Sequence, residues 1–360
     1  MWEKIKAWLE IRIGERTFTR TVMHEYRLPK DTGFLGTFGL VAMAALIVQT
    51  ITGVLLLMYY MPHPDHAFRS VQIIMTKVSF GWLFRMLHLT SANVMIATVL
   101  IHTIYVFYKG SFRMPRELTW LSGAVLLFLT LTLSVTGYIL PWHQLSYWTT
   151  TVLTTIPTVL PFLDWIAQFV RGGEFVSNVT LSRFFGFHVA ILPALVLVFV
   201  TIHAFLVIRI GFSPSKDVET AVDHSSEFKS ESYPDGMPFY PNYLLKALSM
   251  VMLFFVVVFF LITFIPSIFL PPLSNVEADP LMTPEVIRPQ WFFLAPYKLM
   301  NLIPNKFLGI SLNIFFTVLF FALPFVGRKD GQRLLMGAGH RSMFYGAFAL
   351  WLILTIWGAL

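Results

Sequence analysis

The chain has 360 residues, of which 56% are hydrophobic and 12% charged, and its formal net charge is +7. This composition is too apolar for a soluble globular domain and indicates a helical membrane protein with several spans. The absence of cysteine excludes a disulfide, a cysteine-ligated iron–sulfur cluster and a thioether-linked haem within this sequence.

The first twenty residues are charged and amphipathic and lack the apolar core of a signal peptide, so we expect them to lie on the membrane surface. Seven long apolar runs follow, and each predicts a transmembrane helix. Their predicted bounds are Gly33–Tyr60, Gly81–Tyr108, Trp120–Leu140, Arg183–Ile210, Tyr243–Phe269, Leu308–Val326 and Met343–Leu360. The predicted fold class is therefore an all-α membrane protein with about seven transmembrane helices.

A polar connection, residues 213–242, separates a four-helix part, residues 1–212, from a three-helix part, residues 243–360. On the opposite side, the long loops Pro141–Ser182 and Pro271–Lys306 are rich in Trp, Pro and Gly. Long ordered loops commonly carry function, so we expect binding residues there.

The distribution of basic residues predicts the orientation of the chain. Eighteen of its 26 lysines and arginines fall in the N-terminal arm and in the second–third, fourth–fifth and sixth–seventh connections. The positive-inside rule places that side in the cytoplasm. We therefore predict a multi-pass protein of a bacterial cytoplasmic membrane with a cytoplasmic N-terminus, and the positive charge does not indicate a nucleic acid partner.

Two of the predicted spans carry a histidine near each end. His88 and His102 are 14 residues apart in the second span, and His188 and His203 are 15 apart in the fourth. At about 100° and 1.5 Å per residue, 14 residues return to within roughly 40° of the same helix face, and 15 overshoot to about 60°. Two facing helices of this kind suit two bis-histidine haems at different depths of a bilayer about 30 Å thick. Hydrogen bonding to a neighbouring helix is the alternative, but four ionisable residues at matched depths favour ligation.

Glycines repeat the histidine spacing in the other two helices of the four-helix part. Gly39 and Gly53 lie in the first span and Gly123 and Gly137 in the third, and both pairs are 14 residues apart. Glycine allows a flat ligand to approach a backbone, although it also allows close packing between helices. Two pairs at the histidine spacing favour four helices wrapped around two stacked macrocycles.

Several motifs resemble the cytochrome b of quinol:cytochrome c (bc-type) oxidoreductases. They are GWLFRMLHLTSAN, FRMPRELTWLSG, VTGYILPWHQLSYW and LSRFFGFHVAILP. The likeness is greatest to the photosynthetic branch, cytochrome b6, in which the fourth-helix histidines are also 15 apart. ADPLMTPEVIRPQWFF and IPNKFLG resemble the subunit IV of that branch, here fused to the haem-bearing part. The resemblance extends from about Leu28 to the C-terminus.

The resemblance implies roles for named residues. His88 and His188 would ligate an outer, low-potential haem b, and His102 and His203 an inner, high-potential haem b. Arg85 matches an arginine that pairs with a haem propionate, although it is also suited to anchor the helix at the membrane interface. The outer quinol site would be lined by Tyr138, Pro141, Trp142, Pro289, Gln290, Trp291 and Phe292. An inner quinone site would lie near His203 and the first span.

Two departures from the family pattern bear on function. The family's outer-site tetrapeptide has glutamate where this chain has Gln290, and an amide does not take up a proton at neutral pH. His143 and Glu285 are candidate replacement bases; their alternatives are a solvated loop histidine and a helix-cap carboxylate. The photosynthetic branch tethers a further haem through a cysteine, and the aligned residue is Thr37, so we expect no covalent haem c.

The family mechanism implies that quinol gives one electron to a high-potential acceptor and the other to the two b haems, with proton translocation. A Rieske iron–sulfur protein and a cytochrome c would then be partner subunits, and the complex would be a dimer. A haem wire that couples a quinone site to another redox partner without bifurcation is the first alternative, and Gln290 motivates it. A transporter whose histidines relay protons is the second, but the spans contain almost no carboxylates.

Overall fold

The computed structural model describes residues 26–30, 32–113, 116–212, 236–325, 328–329, 332–333 and 338–360. The segment predicted to lie on the membrane surface is outside these residues, as are residues 213–235 of the predicted connection. Just after that connection, a short strand β2 pairs antiparallel with β1 near the start of the described chain. This pairing holds the entry to the C-terminal part against the entry to the first span.

The apolar runs form long helices, and shorter helices occupy the loops between them. In chain order the helices are α1 (Phe38–Leu57), α2 (Pro64–Thr76), α3 (Gly81–Lys109), α4 (Glu117–Ile139), α5 (Gln144–Thr155), α6 (Asp164–Arg171), α7 (Asn178–Gly186), α8 (Leu192–Ile210), α9 (Leu244–Phe264), α10 (Leu294–Leu302), α11 (Lys306–Ala322) and α12 (Ala338–Ala359). The strands are β1 (Arg27–Leu28), β2 (Met237–Pro238), β3 (Arg328–Lys329) and β4 (Gln332–Arg333), with β3 and β4 paired antiparallel. The predicted all-α membrane fold is confirmed.

Six helical segments of the described chain are long and apolar enough to cross a bilayer. They are Phe34–Leu57, Gly81–Lys109, Glu117–Ile139, Asn178–Ile210, Phe239–Phe264 and Lys306–Phe325. They correspond to the first six predicted spans, with ends shifted by a few residues. The seventh predicted span forms α12, but its apolar part, Tyr345–Ala359, is shorter than the others, so its crossing of the membrane stays a prediction.

The four-helix part is built from two helix pairs, because α1 packs along α3 and α4 packs along α8. Val41 and Ala45 of α1 are buried against α3, and Phe254 and Val258 of α9 close the same apolar cluster. A second cluster around Leu129, Leu192 and Val196 joins α4 to α8. Large apolar side chains cover the outer surfaces of these helices, as expected for contact with lipid.

The long loop after α4 is folded into α5, α6 and α7 and binds the loop that precedes α10. The amide of Gln144 accepts a hydrogen bond from the Asp279 N–H at 2.7 Å and donates to the Met282 carbonyl. The Trp148 indole donates to the Asp279 carbonyl at 3.3 Å. The two predicted outer loops therefore form one layer over the same end of the bundle.

Candidate functional site

The two histidines nearest the loop layer face each other. The ring centroids of His88 on α3 and His188 at the start of the fourth span are 6.2 Å apart, and the rings are inclined by 78°. With a metal–imidazole bond of about 2 Å on each side, ligation by both rings requires centroids about 6 Å apart. The spacing of this pair therefore fits an imidazole–iron–imidazole arrangement.

The second histidine pair lies near the opposite end of the same helices. His102 on α3 and His203 on α8 are half-buried and close enough to interact electrostatically. The structure thus brings together the four histidines predicted as ligands in two pairs, each drawing one histidine from α3 and one from the fourth span.

Hydrogen bonds to Nδ1 orient three of the four rings. His88 Nδ1 lies 2.9 Å from the Thr52 hydroxyl, and His203 Nδ1 lies 2.9 Å from the Ser122 hydroxyl. His188 Nδ1 lies 3.1 Å from the Leu133 carbonyl and 3.2 Å from the Thr136 hydroxyl. A carbonyl only accepts, so the proton of His188 is on Nδ1 and its Nε2 lone pair is available to a metal.

Each of the four predicted glycines faces the ring of one predicted ligand. A Cβ on Gly39 would lie 3.6 Å from His102 Cε1, and one on Gly53 would lie 3.3 Å from His88 Cε1. For Gly123 and His203 the distance is 3.1 Å, and for Gly137 and His188 it is 2.6 Å.

The sequence interpretation, that these glycines leave space for a macrocycle, is therefore incomplete. Each one first leaves space for the edge of an imidazole from the paired helix, since an alanine side chain there would press on the ring. The glycine spacing matches the histidine spacing because each glycine lies beside a histidine at the same depth.

The fourth span contains a wide turn where one of its histidines lies. Residues Phe187–Ile191 form a π-helical turn, in which the Leu192 N–H bonds to the Phe187 carbonyl. Pro193 follows, and its missing N–H weakens the regular α-helical pattern here. A π-turn absorbs one extra residue, so the 15-residue gap from His188 to His203 behaves like a 14-residue gap. The predicted overshoot to about 60° is wrong for this reason.

Arg85 lies one turn before His88, at the end of α3 near the loop layer. Within the described residues, no protein group hydrogen-bonds to its guanidinium, and it is near enough to His143 to affect that ring electrostatically. A half-buried cation without a protein acceptor is suited to bind an anionic group such as a carboxylate.

The segment containing Gln290 lies between α3 and α4. The Ser134 hydroxyl donates to the Gln290 side-chain carbonyl at 3.1 Å, and the Trp291 indole donates to the Asn93 side-chain carbonyl at 3.0 Å. Phe292 is buried next to them. These contacts attach the predicted tetrapeptide directly to two helices of the bundle.

His143 is buried, with 3% of its surface exposed, so the interpretation as a solvated loop histidine is wrong. It caps α5, where its Nδ1 accepts a hydrogen bond from the Ser146 N–H at 3.0 Å. Its ring meets that of Tyr138 edge-on at 5.5 Å. Burial, and secondarily the Arg85 charge, lower the pKa of His143 to about 3. The ring is therefore neutral, with its proton on Nε2.

The remaining predicted residues of this region differ in burial. Trp142 is buried and has a positive φ of 49°, which turns the chain sharply from α4 into α5. Pro141 and Pro289 are half-buried. Glu285 is exposed in an extended loop and starts no helix, so its interpretation as a helix cap is wrong.

Comparison with known proteins gives the family. Residues 23–211 match the family described as Cytochrome b/b6/petB, and residues 277–360 match the family described as Cytochrome b(C-terminal)/b6/petD. The chain belongs to the cytochrome b family. The family match makes this cytochrome b a membrane-bound redox subunit of the bc type, and implies that it binds haem b and quinone.

Individual relatives agree with this assignment. This cytochrome b is 34% identical to "Cytochrome b" of Rickettsia conorii over 345 residues, covering 96% of this chain and 83% of the relative. It is 32% identical to "Cytochrome b" of Rhodospirillum rubrum over 351 residues, covering 97% of this chain and 83% of the relative. A solved structure titled "Hyperthermophilic respiratory Complex III" superposes with a TM-score of 0.87 at 35% identity, covering 98% of this chain and 91% of that one. Both family descriptions include b and b6 chains, so the greater likeness to the photosynthetic branch stays a prediction.

Several residues of the site are missed by the sequence interpretation. The hydroxyl groups of Thr52, Ser122 and Thr136 contact histidine rings, and Ser134 and Asn93 hold the Gln290 segment. The first three had a signal in the sequence, because each directly precedes one of the predicted glycines. Ser134 and Asn93 had none, since ordinary polar residues within a span do not reveal a partner in a distant loop.

Proposed function

We propose that the chain is the di-haem cytochrome b subunit of a Rieske/cytochrome b complex. In this function it carries electrons from quinol across the membrane through two non-covalent b haems, coupled to proton translocation. The main support is the pairing of four histidines at two depths, with one pair at a centroid distance of 6.2 Å. Haem b, when bound, supplies one-electron carriers; the protein holds them at fixed depths in an apolar sheath.

The ligand assignment follows the two pairs. His88 and His188 hold the outer haem, and His102 and His203 hold the inner haem, on the orientation predicted from the basic residues. Arg85, which has no protein acceptor among the described residues, binds a propionate of the outer haem. Thr37 donates its hydroxyl to the Phe34 carbonyl at 2.7 Å and offers no thiol, which supports the absence of a covalent haem c.

The outer quinol site lies where the Gln290 segment meets Tyr138 and His143. The Gln290 amide and the neutral His143 ring bind and orient the quinol oxygens, since neither is a base at neutral pH. Glu285, exposed in the loop before this segment, is the better proton acceptor of the two predicted candidates. The proton therefore leaves toward the loop layer rather than into the bundle.

Partner subunits supply the high-potential side of the reaction. The chain has no cysteine to hold an iron–sulfur cluster or a haem c, so a Rieske protein and a cytochrome c subunit provide them. The superposition on a chain of a respiratory Complex III supports this assembly, which we propose to be a dimer in a bacterial cytoplasmic membrane with the N-terminus in the cytoplasm.

The second candidate function is a haem wire without bifurcation, which couples one quinone site to another redox partner. One observation favours it: Gln290, with its side-chain carbonyl occupied by Ser134, replaces the carboxylate of the family tetrapeptide. The proton-relay transporter is no longer an alternative, because the chain belongs to the cytochrome b family.

The test is quinol-driven reduction of the b haems in membranes with the inner site blocked, with and without an oxidant for the high-potential partner. If oxidant is needed for haem b reduction, the outer site bifurcates and the proposed function holds. If the haems reduce equally well without oxidant, or not at all, the haem wire takes its place. A haem content of one or none per chain would contradict both.

A further inference from the structure

The four predicted glycines differ in the residue that precedes them. Thr52–Gly53, Ser122–Gly123 and Thr136–Gly137 each place a hydroxyl directly before the glycine, whereas the fourth dipeptide is Phe38–Gly39. The glycine leaves space for an imidazole, and in three cases the adjacent hydroxyl reaches Nδ1 of that same ring.

The direction of these hydrogen bonds follows from the second contact of each hydroxyl. Thr52 Oγ1 donates to the Val48 carbonyl at 2.6 Å, and Ser122 Oγ donates to the Thr119 carbonyl at 2.9 Å. Thr136 Oγ1 likewise donates to backbone carbonyls of its own helix, at 3.0 Å. A hydroxyl has one proton, so each oxygen is left to accept the Nδ1–H of the facing histidine.

His102 is the exception within the described residues. Its Nδ1 is buried and has no hydrogen-bond partner. The backbone placement is nevertheless the same, because a Cβ on Gly39 would meet His102 Cε1 at 3.6 Å and then Nδ1 at 4.0 Å, in the same order as at the other three glycines. The difference therefore comes from the side chain at position 38, which is phenylalanine and not serine or threonine.

We propose that the residue before each glycine is a positioning residue that sets the donor strength of the facing histidine, and that Phe38 raises the midpoint potential of the inner haem. This inference rests on the proposed ligand assignment. A hydrogen bond from Nδ1–H makes an imidazole more basic and stabilises ferric iron, which lowers the midpoint potential. Both outer ligands make such a bond, but only one inner ligand does. Electrons therefore run downhill from the outer to the inner haem.

Phe38→Ser and Phe38→Ala form the matched pair that tests this inference, in membranes containing the full complex. Both variants remove the aromatic ring, and only serine can accept from His102 Nδ1. We measure the midpoint potential of each haem by redox titration of the optical bands. We expect serine to lower the inner potential relative to alanine by roughly fivefold in the reduction equilibrium, the effect of one ordinary hydrogen bond. That equals about 40 mV, because a one-electron couple changes by 59 mV per tenfold.

Two further substitutions test the same principle without disturbing Phe38. Ser122→Ala should raise the inner potential alone, and Thr52→Val should raise the outer potential alone, each by a similar amount. Ser122→Thr and Thr52→Ser retain the hydroxyl and should restore the wild-type values. A structural role in packing would not follow the presence of the hydroxyl.

The outcomes separate this inference from the function on which it rests. Two haems whose potentials ignore Phe38→Ser, Ser122→Ala and Thr52→Val would overturn the inference and leave the proposed function intact. A preparation without two bis-histidine haems, judged from its spectrum, would overturn both.

Discussion

Substitution of Gly137 by alanine should disturb one haem and leave the other in place. The new Cβ would lie 2.6 Å from His188 Cε1 and 3.1 Å from both ring nitrogens. Carbon atoms in ordinary contact are at least about 3.5 Å apart, so the ring would have to move by about 0.9 Å. That exceeds the tolerance of roughly 0.5 Å for a preorganised site.

His188 cannot make this movement freely, because its Nδ1 is held by the Leu133 carbonyl and the Thr136 hydroxyl. Overpacking of this kind costs about 1–3 kcal/mol, so we expect affinity for the outer haem to fall by roughly fivefold to a hundredfold. The readouts are haem content per chain and the spectrum of the remaining haem in purified Gly137→Ala complex.

Gly39→Ala is the matched control, since its Cβ would lie at an ordinary 3.6 Å from His102 Cε1. It should retain both haems, and alanine should favour the helix by a few tenths to about 1 kcal/mol. Loss of haem from Gly39→Ala together with full retention in Gly137→Ala would refute the reasoning from ring contacts.

Three other predictions concern the same end of the bundle. His88→Ala or His188→Ala should remove the outer haem and keep the inner haem spectrum; loss of the inner haem alone would contradict the pairing. The pKa of His143 is about 3 in the folded chain and ordinarily 6.5, so the unfolded chain binds more protons below pH 6.5 and stability falls as pH drops. His143→Asn should reduce that loss by up to about 1 kcal/mol per pH unit, measured as Tm at pH 5 against pH 7.5; equal losses in both proteins would argue against burial of a neutral ring. Gln290→Glu should raise oxidant-dependent quinol oxidation at least roughly tenfold by adding a proton acceptor, whereas an unchanged rate would show that Gln290 does not limit the outer site.

The positions of the spans and the pairing of histidines could be predicted because both depend on short-range periodicity. A run of about 20 apolar residues predicts a span, and a gap of 14 residues predicts a shared helix face. The family likeness then supplied the outer loop residues, including Gln290, which contacts the bundle through Ser134.

The remaining features depend on contacts between distant parts of the chain. The burial of His143 follows from the fold of the loop layer, which periodicity does not describe. The hydroxyls before the glycines were visible as residues, but their partners became known only when α1 was placed against α3 and α4 against α8. The short helix α2 in the connection before α3 was not predicted, because its polar composition resembles a loop.

The π-turn at Phe187–Ile191 affects how spacing should be used when cytochromes of this family are compared. One residue inserted into a regular α-helix rotates everything beyond it by about 100°, but a wide turn accommodates the insertion locally. A relative with 14 residues between its fourth-helix histidines can therefore place both imidazoles where His188 and His203 lie here. The difference between 14 and 15 then marks an insertion in a lineage, and the iron sites on either side of it are geometrically the same.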